Sequence, residues 1–231
     1  MKAIKLFLIL LVSIFFCTVV NAQGIKIYQK NGEILNLFYA DIDSIVAYGD
    51  TINNNDKYEA VDLGLSVKWA TFNVGATTPE EYGDYFAWGE TSPKETYTKE
   101  NSLTYEMNIG DISGNPEYDA ATANWGGSWR MPTETEMQEL CENCTWEWTM
   151  QNGVNGYKLT SNKNGNYIFL PAAGYRNESS LKLDGKNGYY WSSASYEKIK
   201  NNTFYLLFYS GYNKPMWNYR RYGYSVRPVT E

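Results

Sequence analysis

Cys141 and Cys144 stand in a C-x-x-C. That spacing can carry thiol–disulfide exchange, a structural disulfide or half of a four-cysteine zinc site. Exchange needs a thiolate. The pair falls at the C-terminal end of an expected helix, where the dipole disfavours negative charge. No Lys, Arg or His lies nearby in the sequence to lower a thiol pKa, and there is no second C-x-x-C. The reading is two buried structural thiols or a structural disulfide.

Paired carboxylates are the other chemistry on offer. Glu80-Glu81 and Glu134 with Glu136 could be read as the acid and base of a glycosidase. Glu134 and Glu136 are already accounted for by the electrostatics of a helix N-terminus. Asp41-Ile42-Asp43 lacks the further carboxylates and the glycine of a calcium loop and reads as a turn. The 231 residues contain no His, which excludes Ser-His-Asp and Cys-His catalysis, His-ligated zinc and haem on a proximal His. No catalytic residue, metal ligand or cofactor is expected.

Binding chemistry is better represented. Between Tyr189 and Glu231 lie nine Tyr, two Trp and four Asn, with several Ser and Gly. Tyr and Trp give rigid contact area at low entropy cost, and Ser, Gly and Asn give adaptable hydrogen bonds. The same mixture suits stacking on sugar rings. In 204–209, alternation puts Phe204, Leu206 and Phe208 on one face and Tyr205, Leu207 and Tyr209 on a more exposed one. The expected contacts are Tyr205, Tyr209, Tyr212, Asn213, Trp217, Asn218, Tyr219 and Tyr222, with Arg220 and Arg221 assisting acidic or planar ligands. Plain structural packing of these aromatics is the competing reading.

These residues need a frame. Strands are expected over 67–72, 167–170, 204–209 and, closing the domain, 225–229. One helix begins after Thr133, an N-cap with Glu136 three residues on and Pro132 before it. Met137, Leu140, Cys141 and Cys144 then recur at i, i+3, i+4 and i+7 as one buried face.

Upstream, Ile25, Ile27, Ile34 and Leu37 flank Asn31-Gly32 and predict a tight hairpin within a small β unit over 23–50. Asn-rich residues 51–57 read as a linker, and 58–231 as one domain. Residues 1–22 read as a signal peptide, with Lys2 and Lys5 before an apolar run over 6–20 that is short for a membrane span. Lipidation at Cys17 is disfavoured by the bulky residues before it. Ser44 and Thr51 lie in short patterns resembling O-glycosylation acceptors of exported bacterial proteins. The product is expected to be secreted or held at the cell surface, and not integral to a membrane.

Composition bounds the partners. Twenty Lys and Arg stand against 26 Asp and Glu, a net charge of −6. That argues against nucleic acid and against a polybasic membrane-surface protein. Twenty-one Tyr, eight Trp and nine Phe mark a globular chain rich in aromatics.

Several motifs occur together. Trp125-Gly126-Gly127-Ser128-Trp129-Arg130-Met131-Pro132-Thr133-Glu134-Thr135-Glu136 resembles a stretch of the formylglycine-generating-enzyme-like branch of the C-type lectin fold. Asp62-Leu63-Gly64-Leu65, Lys68-Trp69-Ala70, Leu170-Pro171-Ala172-Ala173-Gly174-Tyr175-Arg176, Tyr190-Trp191-Ser192-Ser193 and Gly223-Tyr224-Ser225-Val226-Arg227-Pro228-Val229 add to it. In that order they are similar to the Fibrobacter succinogenes major paralogous domain family of exported bacterial proteins, over residues 59–229.

The resemblance implies an α+β domain, C-type lectin-like, with mostly short strands, one or two helices, and N- and C-terminal strands that meet. It implies structural roles for Trp125, Gly126, Gly127, Trp129, Arg130, Pro132, Thr133, Glu136, Trp191 and Arg227. It implies no enzyme activity: formylglycine-generating enzymes use a Cys pair near the domain's C-terminal end, where this chain has none, and their sulfur-transfer relatives need His. Trp217-Asn218-Tyr219 matches the calcium-dependent lectin motif only in part. Variable proteins of diversity-generating retroelements share the fold, and 203–227 resembles their diversified face.

The function expected is an exported, non-catalytic binding or adhesion module for a glycan or surface-protein ligand. A structural cell-surface or pilus-associated subunit and a retroelement-diversified receptor-binding protein are the alternatives.

Overall fold

The computed structural model describes residues 24–28, 34–38 and 58–231. The expected signal peptide with Cys17, the Asn31-Gly32 turn, Asp41 and Asp43, Ser44, Thr51 and the linker lie outside the described residues. The chain divides into two compact units, Met1–Asp50 and Thr51–Glu231. In the first, β1 (Gly24–Tyr28) and β2 (Ile34–Phe38) pair antiparallel, Tyr28 opposite Ile34.

The second unit opens with β3 (Ala60–Val61) and β4 (Lys68–Ala70), then α1 (Ala120–Trp125) and α2 (Glu134–Asn143). Next come β5 (Cys144–Gln151), β6 (Val154–Ser161), β7 (Tyr167–Pro171), β8 (Tyr175–Asn177) and β9 (Ser180–Lys182). β10 (Asn187–Ser195), β11 (Asn202–Tyr209), β12 (Tyr212–Tyr219) and β13 (Val229–Thr230) complete it. The strands form small antiparallel sheets in the orders β13-β4-β3, β5-β6-β7, β8-β9 and β10-β11-β12. This is a mixed α+β unit. Strands near its two ends meet, Val229 opposite Trp69.

Local chemistry explains the elements. Thr133 caps α2: its Oγ1 accepts from Glu136 N at 3.2 Å, and Glu136 accepts from Thr133 N at 2.8 Å. Arg130 grips the same carboxylate with two hydrogen bonds, at 2.6 and 2.9 Å. Asp119 caps α1 by accepting from Thr122 N. Gly126 and Gly127, at φ 65° and 61°, turn the chain out of α1 where other residues would be strained. β5 and β6 join through Asn152-Gly153, both at positive φ, which fits a two-residue hairpin.

Strand ends depart from expectation. The strand expected over 67–72 is only Lys68–Ala70, and the closing strand is Val229–Thr230 rather than 225–229. Pro228 lacks the N–H a ladder needs, and Arg227 turns into the core instead. Tyr224 and Ser225 pair only through isolated bridges, to Phe86 and Tyr190. α2 stops at Asn143, so Cys144 belongs to β5 and not to the helical face.

The disulfide reading is corrected: Cys141 and Cys144 are free thiols. Burial pushes their pKa values up to about 12 and about 11, with carboxylates nearby adding to the effect. Both therefore stay protonated near neutrality, and oxidation starts from a thiolate.

The sheet of β10, β11 and β12 divides the core. On one side Tyr190, Leu206 and Phe208 join Met137 and Leu140 of α2. On the other, Tyr189, Trp191 and Tyr205 join Trp88, Trp125, Trp129 and Tyr224. Both faces of β10 and β11 are thus covered, and β11 reads from Phe204 to Tyr209 as a continuous apolar run. Arg227 crosses between sheets, fully buried. It donates to Asn73 Oδ1 (2.8 Å) and to the carbonyls of Ala70 (2.9 Å) and Phe169 (3.0 Å). Burial lowers its pKa to about 10, still charged at neutral pH. Trp191 donates its indole N–H to the Phe86 carbonyl, and Pro132 accepts from Ser193 N.

Candidate functional site

The β11–β12 hairpin carries the predicted contacts, and its register sorts them. Phe204 faces Trp217, Tyr205 faces Met216 and Tyr209 faces Tyr212 across the Ser210-Gly211 turn. Cross-strand partners share a face, and alternate residues lie on opposite faces. Thr203, Tyr205, Leu207 and Tyr209 therefore share one face with Tyr212, Met216 and Asn218. Asn202, Phe204, Leu206 and Phe208 share the other with Asn213, Trp217 and Tyr219.

Two predicted contacts are core residues. Tyr205 is 5% exposed. Its ring lies 5.8 Å from Tyr189, 6.0 Å from Trp191 and 5.0 Å from Tyr224. Burial pushes its hydroxyl pKa far above the usual tyrosine value. The alternation argument failed here because it assumes one wet face. Arg220 is 4% exposed and also works internally. Its guanidinium lies 4.3 Å over the Trp88 ring. It donates to the carbonyls of Thr104 (3.3 Å), Met107 (2.9 Å) and Ile109 (3.4 Å). One side chain thus satisfies three carbonyls of an irregular loop that has no ladder of its own.

Others are partly committed. Asn218 donates to the Tyr224 hydroxyl at 2.9 Å and accepts from Tyr219 N at 2.8 Å. Tyr222 is half-buried against Tyr175 and Tyr224, and Arg221 donates to its hydroxyl. Tyr212 and Asn213 are half-buried.

Three aromatics remain exposed: Tyr209 (41%), Trp217 (43%) and Tyr219 (44%). They do not form one surface. Tyr212 and Trp217 stand five residues apart on opposite faces of β12, roughly 16 Å along the strand. The hairpin therefore has two distinct aromatic ends.

At the Trp217 end, Tyr196 stacks on Trp217 at 5.0 Å and meets Phe204 edge-on at 5.1 Å. Tyr105 lies 6.3 Å from Tyr219. The loop held by Arg220 brings Leu103 and Met107, and the turn before β11 brings Ile199, all exposed. Glu106 bridges the two loops, 3.7 Å from Lys99 and 3.3 Å from Lys200. The sequence reading missed Leu103, Tyr105, Met107, Tyr196 and Ile199. Apolar residues set singly among polar loop residues, as in Lys198-Ile199-Lys200, were the available signal.

At the other end, Tyr209 stacks on Tyr212 at 4.9 Å. A cleft lined by Trp148, Gly185, Lys186, Asn187, Tyr209 and Ser210 opens there.

The carboxylate pairs do other work. Glu80 accepts from Gln151 and Asn152 at 2.7 Å each, tying down the β5–β6 turn. Glu81 accepts from Thr77 N at 2.6 Å. These hydrogen bonds hold both below the ordinary glutamate range, the opposite of a poised general acid. No group of three or more His, Cys, Asp or Glu among the described residues is placed to hold a metal ion. No described helix is long and apolar enough to cross a membrane.

A family model described as a domain of unknown function, DUF8237, matches residues 147–229. The match runs from within β5 to the start of β13 and includes both ends of the hairpin. No curated protein and no solved structure matches the chain.

Proposed function

We propose that this protein is an exported, non-catalytic binding or adhesion module whose contact surface is the Trp217 end of the β11–β12 hairpin. One observation carries the reading. Of nine large apolar side chains exposed among the described residues, five belong to the segments that meet there: Leu103, Met107, Ile199, Trp217 and Tyr219. Contiguous exposed apolar surface with a charged rim marks an interaction site, and aromatic anchors dominate such interfaces. The rim here is Lys99, Glu106 and Lys200. Because the patch is apolar and Glu106 pairs with both rim lysines, it favours a surface protein over a free glycan.

A C-type lectin-like fold of the major paralogous type fits this reading. The meeting of β4 with β13 is a feature that resemblance implies, and the cap of α2 and the Gly126-Gly127 turn lie within its longest motif. Export rests on the apolar N-terminal segment and predicts a mature chain beginning at Gln23.

The test is a binding screen of the chain against bacterial surface proteins and a glycan array, repeated with Trp217→Ala plus Tyr219→Ala. The reading predicts a ligand that the double variant loses. Unchanged binding by the double variant would place the contact elsewhere. Concentration-dependent self-association that the same variant abolishes would favour the structural-subunit alternative.

A further inference from the structure

The turn end of the hairpin carries a separate site. The cleft there is a shallow depression, wide open to solvent, with a volume of about 470 Å³. Trp148 and Tyr209 give it aromatic walls, Asn187 and Ser210 give neutral hydrogen-bonding groups, and Lys186 gives a cation.

The walls are fixed before any ligand arrives. The Tyr157 hydroxyl donates to the Tyr209 carbonyl at 3.1 Å and accepts from Gly211 N at 2.9 Å. The Tyr157 ring meets Trp148 edge-on at 5.1 Å. One tyrosine therefore positions both aromatic walls. Tyr212, stacked on Tyr209 with planes 6° apart, holds that ring in orientation. On the facing segment, Asn155 donates to the Gly185 carbonyl at 3.0 Å, and Gly185 N donates to Ala172 O at 2.7 Å. Asn187 is pinned through its own backbone, donating to Leu183 O and accepting from Gly174 N. A cleft held this way orders little on binding.

Of the functional groups on these walls, Asn187 already donates its side-chain amide to the Tyr189 hydroxyl at 3.5 Å and keeps its Oδ1 for a ligand. Lys186 is exposed and has no ion-pair partner among the described residues. The Trp148 indole N–H and the Ser210 hydroxyl likewise have no hydrogen-bond partner among them. An unpaired lysine beside two aromatic walls can pair with an anionic group of a ligand.

We propose that this cleft binds a saccharide unit bearing a carboxylate, of the hexuronate class. The C–H face of a pyranose ring stacks on an aromatic wall. Its hydroxyls exchange hydrogen bonds with Asn187, Ser210 and the Trp148 N–H, and its carboxylate accepts from Lys186 in a charge-assisted bond. The site shares no residue with the Trp217 patch, so the two readings stand or fall separately.

The test is titration of the intact chain with a galacturonate trimer and with the neutral galactose trimer, followed by tryptophan fluorescence and calorimetry. The galacturonate trimer should bind about tenfold tighter, the effect of one charge-assisted hydrogen bond. Lys186→Ala, at an exposed position, should remove that preference and leave neutral binding within about twofold. Tyr209→Ala should weaken both sugars about tenfold or more. Trp217→Ala should change neither. Absence of binding by the unmodified chain, equal binding of the two sugars, or indifference to both Lys186→Ala and Tyr209→Ala would overturn the proposal. Loss of sugar binding in Trp217→Ala would also overturn it, moving the sugar to the other end.

Discussion

Tyr189, Trp191, Tyr205 and Tyr224 are the same kinds of residue as Tyr209, Trp217 and Tyr219, drawn from the same forty residues, yet the first group is core and the second is surface. The difference lies in cover: Tyr189 and Trp191 of β10, Tyr205 of β11 and Tyr224 belong to one core cluster, whereas Tyr209 ends β11 at the hairpin turn and Trp217 and Tyr219 lie on β12. β11 is the central strand of its sheet and has a core cluster on each face, so any aromatic in its middle is buried. β12 is an edge strand and carries Pro215 and Lys214, both common devices on edges. At its far end Trp217 and Tyr219 meet Tyr196 and Tyr105 of flanking loops. Composition supplies aromatics in excess, and topology decides which of them can meet a partner.

The largest effects should come from the buried set. Trp191→Ala removes a fully buried ring stacked 3.9 Å from Tyr224 and should cost about 3–5 kcal/mol in denaturant unfolding. Next, Gly188→Ala should cost about 1–3 kcal/mol, because an added Cβ would lie 2.0–2.5 Å from the Phe208 ring. Unchanged stability in either variant would break the claim that both faces of this sheet are packed.

Glu136→Gln should cost about 1–3 kcal/mol, since it weakens the Arg130 pair and one arm of the capping box. Burial opposes ionisation of Glu136, but the hydrogen bonds from Arg130 and Thr133 N outweigh it, and its pKa is lowered from about 4.5. Its contribution is therefore complete above the unfolded value and is lost as pH falls through the lower folded value. Acid unfolding of the parent chain should show this loss below pH 4.5, and the Gln variant should not.

The smallest stability effects belong to the exposed set. Trp217→Ala and Tyr219→Ala should each stay within about 0.5 kcal/mol of the parent while removing ligand binding. A comparable contrast holds for the thiols. Cys141 and Cys144 should resist alkylation in the folded chain at pH 8 and react freely once it is unfolded.

Short-range features were legible in the sequence. The capping box at Thr133 and Glu136, the Gly126-Gly127 turn and the β1–β2 pairing each follow from a few adjacent residues. The Asn-Gly signal read at 31–32 also marks the 152–153 turn, where it was overlooked. Trp125, Trp129 and Trp191 are core residues; the pairing of Arg130 with Glu136 was not read from the sequence.

Burial of Arg220 was not legible, because it depends on partners over a hundred residues away, Trp88 and the loop over 104–109; burial of Tyr205 depends on Tyr189, Trp191 and Tyr224, which strand alternation alone does not bring to it. Neither end of the hairpin was visible as a separate site. Leu103, Ile199, Trp148 and Lys186 come together with β12 only through tertiary packing, and no local pattern records such meetings.

The most direct measurement is hydroxyl-radical footprinting of the intact chain, read residue by residue by mass spectrometry. The account predicts rapid labelling of Tyr209, Trp217 and Tyr219, and strong protection of Tyr189, Trp191, Tyr205 and Tyr224. Labelling of Tyr205 at the rate of Trp217 would contradict it, and would return the hairpin to a single exposed aromatic face.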